Sequence, residues 1–266
     1  MQAGRQVYGA GVDKQRVVLV TGGAKGVGRG ISEAFLAAGD RVLVCGREAP
    51  AQLPGVEGRS AEFIAADVRD SAAIDALFAE IRNRCGRLDV LVNNAGGAPY
   101  ALAANASPRL HEKILQLNLI APLHLAQQAN ALMQQQDGGG VIVFIGSVSA
   151  LRASPGTAAY GAAKAGILSL TQSLAVEWAP KVRVVAVSPG MVLTEQAHLH
   201  YGDEAGIAAV AHTVPAGRLA MPREIGETCV WVCSATAAYL SGSNLTLHGG
   251  GERPAFLDAG NARHQA

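Results

Sequence analysis

The chain has 266 residues, 49% of them hydrophobic and 5% aromatic, and a formal net charge of +1. That balance gives no electrostatic case for nucleic acid or an anionic membrane surface, and it leaves aliphatic side chains to build the core. No apolar run reaches the ~18 residues that span a bilayer, and the opening MQAGRQVYGAGVDKQ lacks a signal-peptide core, so a cytoplasmic protein with a loose arm over residues 1–15 is expected.

The first element is VVLV, a β-branched run read as a strand over 16–21 with both faces buried. Thr21, Gly22, Gly23, Gly26 and Gly28 follow as a turn into a helix over 26–38, with Ile31, Phe35 and Leu36 on its apolar stripe. Glycines let a backbone approach a pyrophosphate closely, and a helix N-terminus offers free N–H groups and partial positive charge. Ile31 stands where the last glycine of the common G-x-G-x-x-G would fall, and no G-K-[ST] follows to make a P-loop.

Further strands are predicted over 41–45, 61–66, 88–92, 141–146, 182–187 and 243–247, with helices over 71–85, 108–136, 157–179 and 222–236. This alternation specifies one α/β domain, a Rossmann-type doubly wound parallel sheet of about seven strands with helices on both faces. Gly22, Asp67, Asn93, Ser147 and Ser188 fall at or just after strand ends, where ligands bind in open α/β sheets. Stretches 50–58 and 137–140 read as surface turns. Cys45, Cys85, Cys229 and Cys233 have no ligand spacing and read as core, and His198 and His200 lack an acidic or thiol partner, so no metal site is expected.

The chemistry concentrates in PGTAAYGAAK, where Tyr160 and Lys164 lie one helical turn apart on one face. A phenol near its ordinary pKa of ~10 is a poor base at neutral pH, and a neighbouring cation favours the phenolate. Ser147, thirteen residues upstream, closes the apolar run GGGVIVFIGS, where its hydroxyl can bond a substrate oxygen. After the second strand, where NAD-binding folds commonly place an acid, the sequence has Gly46 and Arg47, with Lys25 already in the glycine loop. Two cations suit the 2′-phosphate of NADP(H), with NAD(H) as the alternative because Glu48 lies beside them.

TGGAKGVG, NNAG at 93–96, Asn118, Ser147, Tyr160-x-x-x-Lys164 and SPGMVLT at 188–194 together resemble the short-chain dehydrogenase/reductase family, over residues 15–252. The resemblance implies an NAD(P)(H)-dependent oxidoreductase that interconverts a secondary alcohol and a ketone by hydride transfer. It implies Tyr160 as general acid/base and Ser147 as the donor that polarises the carbonyl. Lys164 would lower the Tyr160 pKa and bond the nicotinamide ribose, and Asn118 would hold a proton-relay water. For the dinucleotide it implies Gly22, Ala24, Lys25, Gly26, Val27, Gly28, Arg47, Asp67, Val68, Asn94, Ala95 and Gly96. Pro189, Gly190, Val192 and Thr194 would orient the nicotinamide amide. Asp67 would otherwise serve as a helix cap.

Val185 and His248 depart from the family pattern, which has Asn and Asp there. Residues 195–217 are expected to form a substrate lid, with His198, His200, Tyr201, Arg152 and Tyr100 as pocket candidates. The implied substrates are 3-oxoacyl thioesters or steroid- and alicyclic-derived ketones. Leu117, Leu125, Leu168 and Leu174 exceed what one sheet-facing stripe requires, which suggests burial against a partner, and the resemblance implies that these helices pair between subunits of a homodimer or homotetramer. The tail over 253–266 would cover a neighbour. A non-catalytic dinucleotide-binding sensor or scaffold is the alternative, though it has little need for all of Asn118, Ser147, Tyr160 and Lys164. A serine hydrolase fits worse, because Ser147 lacks the G-x-S-x-G elbow.

Overall fold

The computed structural model describes residues 15–259, so nearly all of the expected N-terminal arm and the last seven residues of the tail lie outside the described residues. Nine strands and nine α-helices alternate along it. The strands are β1 (Val17–Thr21), β2 (Arg41–Gly46), β3 (Gly55–Val56), β4 (Arg59–Ser60), β5 (Glu62–Ala65), β6 (Val90–Asn93), β7 (Gly140–Ile145), β8 (Val182–Pro189) and β9 (Asn244–Leu247). The helices are α1 (Gly26–Ala37), α2 (Ser71–Cys85), α3 (Pro108–Leu115), α4 (Ala121–Met133), α5 (Ala158–Glu177), α6 (His198–Tyr201), α7 (Glu204–Thr213), α8 (Pro222–Val232) and α9 (Ala255–Ala259).

Seven strands form one sheet in the order β5-β2-β1-β6-β7-β8-β9, and every pairing in it is parallel. The chain therefore runs outward from β1 in one direction and then, from β6, in the other. The crevice between the carboxyl ends of β1 and β6 is where such a sheet binds ligands. The remaining pair, β3 and β4, is an antiparallel hairpin that begins within the stretch 50–58 read as a surface turn and ends just past it.

Strand alternation divides the core into two layers. Val18, Val20, Val42 and Val44 face α1 and α8, against Ile31, Phe35, Ile225 and Cys229. Leu19, Leu43 and Leu91 face the opposite layer of Ile74, Phe78 and Ile81 from α2, Leu125 from α4 and Ile167 from α5. Each such side chain contributes about 1.5–3 kcal/mol when fully buried. In the first layer α1 and α8 nearly touch. A Cβ on Gly226 would lie 2.4 Å from the carbonyl oxygen of Gly30, and one on Gly30 the same distance from the Pro222 carbonyl carbon.

The helix expected over 108–136 is interrupted. Residues Gln116–Ile120 form a π-turn between α3 and α4, with Asn118 wholly buried inside it. The Asn118 amide donates to the Ile114 carbonyl at 2.9 Å, supplying a bond that the regular helix ladder would otherwise make. Val185, an apolar departure from the family pattern, is fully buried beside α8.

The assembly argument needs correcting in its residues. Leu125 and Leu174 are buried in the chain's own core, and Leu117 packs half-buried against it. What α5 presents outward is a row of small side chains, Ala162, Ala165, Ser169 and Ser173, ending at Val176.

Candidate active site

The glycine turn is held by side chains as well as by glycine. Thr21, the last residue of β1, accepts through Oγ1 from the N–H groups of Asn94 (3.0 Å) and Ala95 (2.9 Å). The Asn94 amide donates in return to the Thr21 carbonyl at 2.9 Å. These bonds fix the end of β1 against the NNAG turn after β6. Gly22 has φ +62°, a conformation that glycine adopts without steric cost. A Cβ on Gly28 would meet the Gly22 carbonyl at 2.3 Å and the Asn94 amide at 2.5 Å. Ser32 donates to the carbonyls of Gly23 and Gly28, which closes the loop onto α1. Lys25 is the extended residue before α1 and makes no capping bond through its side chain.

Beside this turn lie the residues expected to meet the adenosine. Arg47 is exposed just after β2 and close enough to Asp67 to favour its charged form. Asp67 itself accepts from Arg69, through Nε at 2.9 Å, Nη2 at 2.6 Å and the backbone N–H at 3.0 Å. That bonding holds the Asp67 carboxyl at about 2, well below its usual range. The helix-cap role falls instead to Asp70, which accepts from the Ala72 N–H. Val68 is buried.

The catalytic candidates come together at the carboxyl end of β7. Ser147 lies two residues past the end of β7 and accepts from the Ser149 N–H at 3.1 Å, capping a short 3-10 turn over Val148–Ala150. Its hydroxyl is near enough to the Tyr160 phenol to favour the phenolate. Lys164 is buried, donates to the Ile145 carbonyl at 2.7 Å, and lies 5.5 Å from the centroid of the Tyr160 ring. The NNAG turn covers this group: a Cβ on Gly96 would sit 2.6 Å from the Asn118 amide oxygen and 3.5 Å from the lysine nitrogen. Asn118 holds Gly97 from both sides, accepting from its N–H and donating to its carbonyl, each at 2.9 Å.

The electrostatics differ from the sequence expectation. Burial raises the Tyr160 pKa, partly offset by the Ser147 hydroxyl. Burial also lowers Lys164 to about 8. The lysine's proton is directed at the Ile145 carbonyl, so the depression of Tyr160 by Lys164 is not found in this structure. Both buried groups are pushed toward their neutral forms.

The segment after β8 is tied to the sheet's far edge. Gly190 donates to the Leu247 carbonyl at 2.8 Å, Val192 bridges Ala220, and a Cβ on Gly190 would meet His248 at 3.0 Å. Pro189 ends β8, and Thr194 accepts weakly from the Gln196 N–H at 3.3 Å. Ser188 is not a site residue: it is fully buried and donates to the Asn244 side chain.

The lid region contains α6 and α7, neither with a buried side chain. Tyr201 is half-buried, its pKa raised by burial and felt by Arg152 and Glu252, which form an ion pair at 2.5 Å. His198 and His200 are exposed, and the Tyr100 ring lies across Gly156. A cavity of about 170 Å³ lies between Met191, Val214, Ala220 and His248, and neither Ser147 nor Tyr160 lines it.

Among the described residues no cluster of His, Cys, Asp and Glu could hold a metal ion. The glycine cradle, whose walls a single Cβ would fill, fits a dinucleotide backbone. A parallel sheet with this cradle at its crossover and a Ser-Tyr-Lys group beyond β7 defines a nicotinamide-dinucleotide oxidoreductase of the Rossmann type. The chain matches the family model for enoyl-(acyl carrier protein) reductase over residues 22–252, and it belongs to the short-chain dehydrogenase/reductase family. Its chemistry is NAD(P)-dependent interconversion of alcohols and ketones.

The chain is 36% identical over 242 residues to a D-threitol dehydrogenase of Mycolicibacterium smegmatis, covering 88% of this chain and 92% of that one. It is also 36% identical over 245 residues to an uncharacterized short-chain type dehydrogenase/reductase of Sinorhizobium fredii, covering 90% of this chain but only 44% of that longer protein. The ligand-free aldohexose dehydrogenase of Thermoplasma acidophilum superposes with a TM-score of 0.83 at 28% identity, covering 89% of this chain and 94% of that one.

Sequence reasoning missed Thr21 as the hub joining β1 to β6, Arg69 as the partner of Asp67, and the Ile145 carbonyl under Lys164. Only Arg69 carried a local signal, a cation two residues from an acid.

Proposed function

We propose that the protein reduces a small ketone to a secondary alcohol, and runs the reverse reaction, with Tyr160 as the proton donor and acceptor. The observation that carries this reading is the convergence of the Ser147 hydroxyl, the Tyr160 phenol and the buried Lys164, whose nitrogen lies 5.5 Å from the centre of the Tyr160 ring. Burial keeps the phenol protonated at neutral pH, the form that can donate. In reduction the Ser147 hydroxyl donates to the substrate carbonyl oxygen while the Tyr160 O–H transfers its proton to that oxygen. Lys164 lies 5.5 Å from the centre of the Tyr160 ring with its ammonium on the Ile145 carbonyl, and Asn118 braces the Gly97 backbone. The bound nicotinamide supplies the hydride that completes the reduction.

The cofactor is NADP(H), held at Gly22, Ala24, Gly26, Val27 and Gly28, with Lys25 and Arg47 on the 2′-phosphate. NAD(H) serves as the weaker alternative. Asp67 and Val68 border the adenine, Asn94, Ala95 and Gly96 the ribose side, and Pro189, Gly190, Val192 and Thr194 the nicotinamide. Substrates are drawn from small polyols and sugars, as the names of its relatives suggest, or from 3-oxoacyl thioesters and alicyclic ketones. Residues 16–252 form the working domain, with a lid over 195–217. Four unpaired cysteines suit a reducing compartment, the cytoplasm.

The small-residue row on α5 supports close pairing with a second copy, giving a homodimer or homotetramer. Light scattering that returns an active single 27.3 kDa chain would refute assembly. The function is tested by screening ketones and alcohols with both cofactors. Replacing Lys25 and Arg47 together by Ala should weaken NADPH about thirtyfold more than NADH, since charge-assisted bonds at partly screened sites contribute about 1 kcal/mol each. Equal losses would reject the NADP(H) preference.

A further inference from the structure

One acid stands inside the cofactor cradle. The Glu195 carboxylate accepts from the Gly26 backbone N–H at 2.9 Å. Gly26 is the first residue of α1, with φ +53°, and its N–H is among the donors that the helix ladder leaves free. The preceding residue, Thr194, lies against the same glycine: its methyl would be 3.8 Å from a Cβ there. The start of the lid is thus seated directly on the glycine turn, with a carboxylate where an anion is favoured.

We propose that Glu195 is a resident competitor for the pyrophosphate, an acid on the lid that holds the Gly26 N–H until the dinucleotide displaces it. The inference rests on the dinucleotide reading of the preceding section. A carboxylate oxygen and a phosphate oxygen cannot both take this N–H in line, and two anions at one helix end repel each other. Binding therefore requires the side chain to swing outward. The free energy of breaking its bond is subtracted from the affinity. Glu195 also begins the segment that leads into α6, and its own carbonyl lies 3.1 Å from the His198 Nδ1. Releasing the carboxylate frees the first anchor of the lid, which couples occupation of the cradle to rearrangement over the substrate site.

The test is equilibrium titration of the purified full chain with NADPH and NADH, followed by nicotinamide fluorescence. Four proteins are compared: wild type, Glu195→Gln, Glu195→Ala and Glu204→Gln. The last removes a charge from an exposed position in the first turn of α7. Both Glu195 variants should bind each cofactor about three- to tenfold more tightly, the size of a charge effect at a helix terminus combined with one lost hydrogen bond. Glu204→Gln should match wild type. Without cofactor, Glu195→Ala should melt slightly lower than wild type, and saturating NADPH should raise its melting temperature by more.

Unchanged or weaker binding in both Glu195 variants would overturn the proposal. So would equal tightening by Glu204→Gln, which would assign the effect to net charge alone. If no protein of the four responds to either cofactor, the dinucleotide reading falls and this inference with it. Glu195→Gln keeps the shape and an acceptor oxygen, so a folding defect in Glu195→Ala leaves the comparison intact.

Discussion

The two halves of the carboxyl edge of the sheet are built differently. Around β1, α1 and β6 the site consists of backbone held at contact distance, with Gly28 on Gly22, Gly30 on Gly226 and Thr21 bonded to two N–H groups of the NNAG turn. In the other half α6 and α7 carry no buried side chain, and Tyr201 is flanked by the Arg152–Glu252 surface pair. In the proposed function the first half binds what is common to every turnover, so its geometry is set by close approach. There the second half meets the substrate, and surface ion pairs contribute only about 0–1 kcal/mol. Such pairs are easily exchanged, so a substrate site can change without disturbing the fold.

The sharpest break falls between these halves, at the proton donor. Tyr160→Phe should keep cofactor affinity and lose at least about a hundredfold in turnover, because general acid/base catalysis supplies ~10²–10⁴. Near-normal turnover by the folded variant would remove Tyr160 from the mechanism.

The contrast in packing predicts a contrast in stability. Gly226→Ala should cost about 1–3 kcal/mol, because its methyl must enter the Gly30 carbonyl, backbone that cannot step aside. Leu199→Ala, on the lid and 68% exposed, should change stability by no more than about 0.5 kcal/mol. Equal losses in denaturant titrations would show that the halves are alike in rigidity.

A further contrast is electrostatic. Lys164 is held at about 8 when folded against an ordinary 10.5, so between those values the unfolded chain binds a proton that the native chain does not. Stability from this group is therefore present above 10.5 and declines as pH falls toward 8. Relative to a Lys164→Met variant, wild type should lose stability over that window on acidification. A constant difference between the two proteins would mean that burial leaves Lys164 unperturbed.

The same division explains what the sequence disclosed. The inner strands of the sheet were legible because β-branched runs buried on both faces lack polar alternation, the edge strands β5 and β9 being only partly buried, and the observed boundaries lie within a few residues of those expected. The glycine turn and the Ser147, Tyr160 and Lys164 group were legible because fixed spacing on a strand end and one helix face puts them together. The break at Gln116–Ile120 was foreshadowed only by one asparagine in an apolar helix. Thr21 takes its role from Asn94 and Ala95, far along the chain, which no local pattern names, whereas Arg69 sits two residues from the acid it binds. Leu125 and Leu174 misled because an apolar count does not say which layer a helix faces. The rise of the Tyr160 pKa depends on burial by the surrounding elements, which the spacing to Lys164 does not convey.

The central claim is that this crevice passes a hydride to a carbonyl carbon while Tyr160 protonates the oxygen. It is tested most directly by supplying NADPH deuterated at both C4 positions with a reactive ketone from the screen. Mass spectrometry should find one deuterium on the carbinol carbon of the alcohol product, and Tyr160→Phe should form that same labelled product far more slowly. Oxidation of the cofactor with no deuterium in the alcohol would contradict the account.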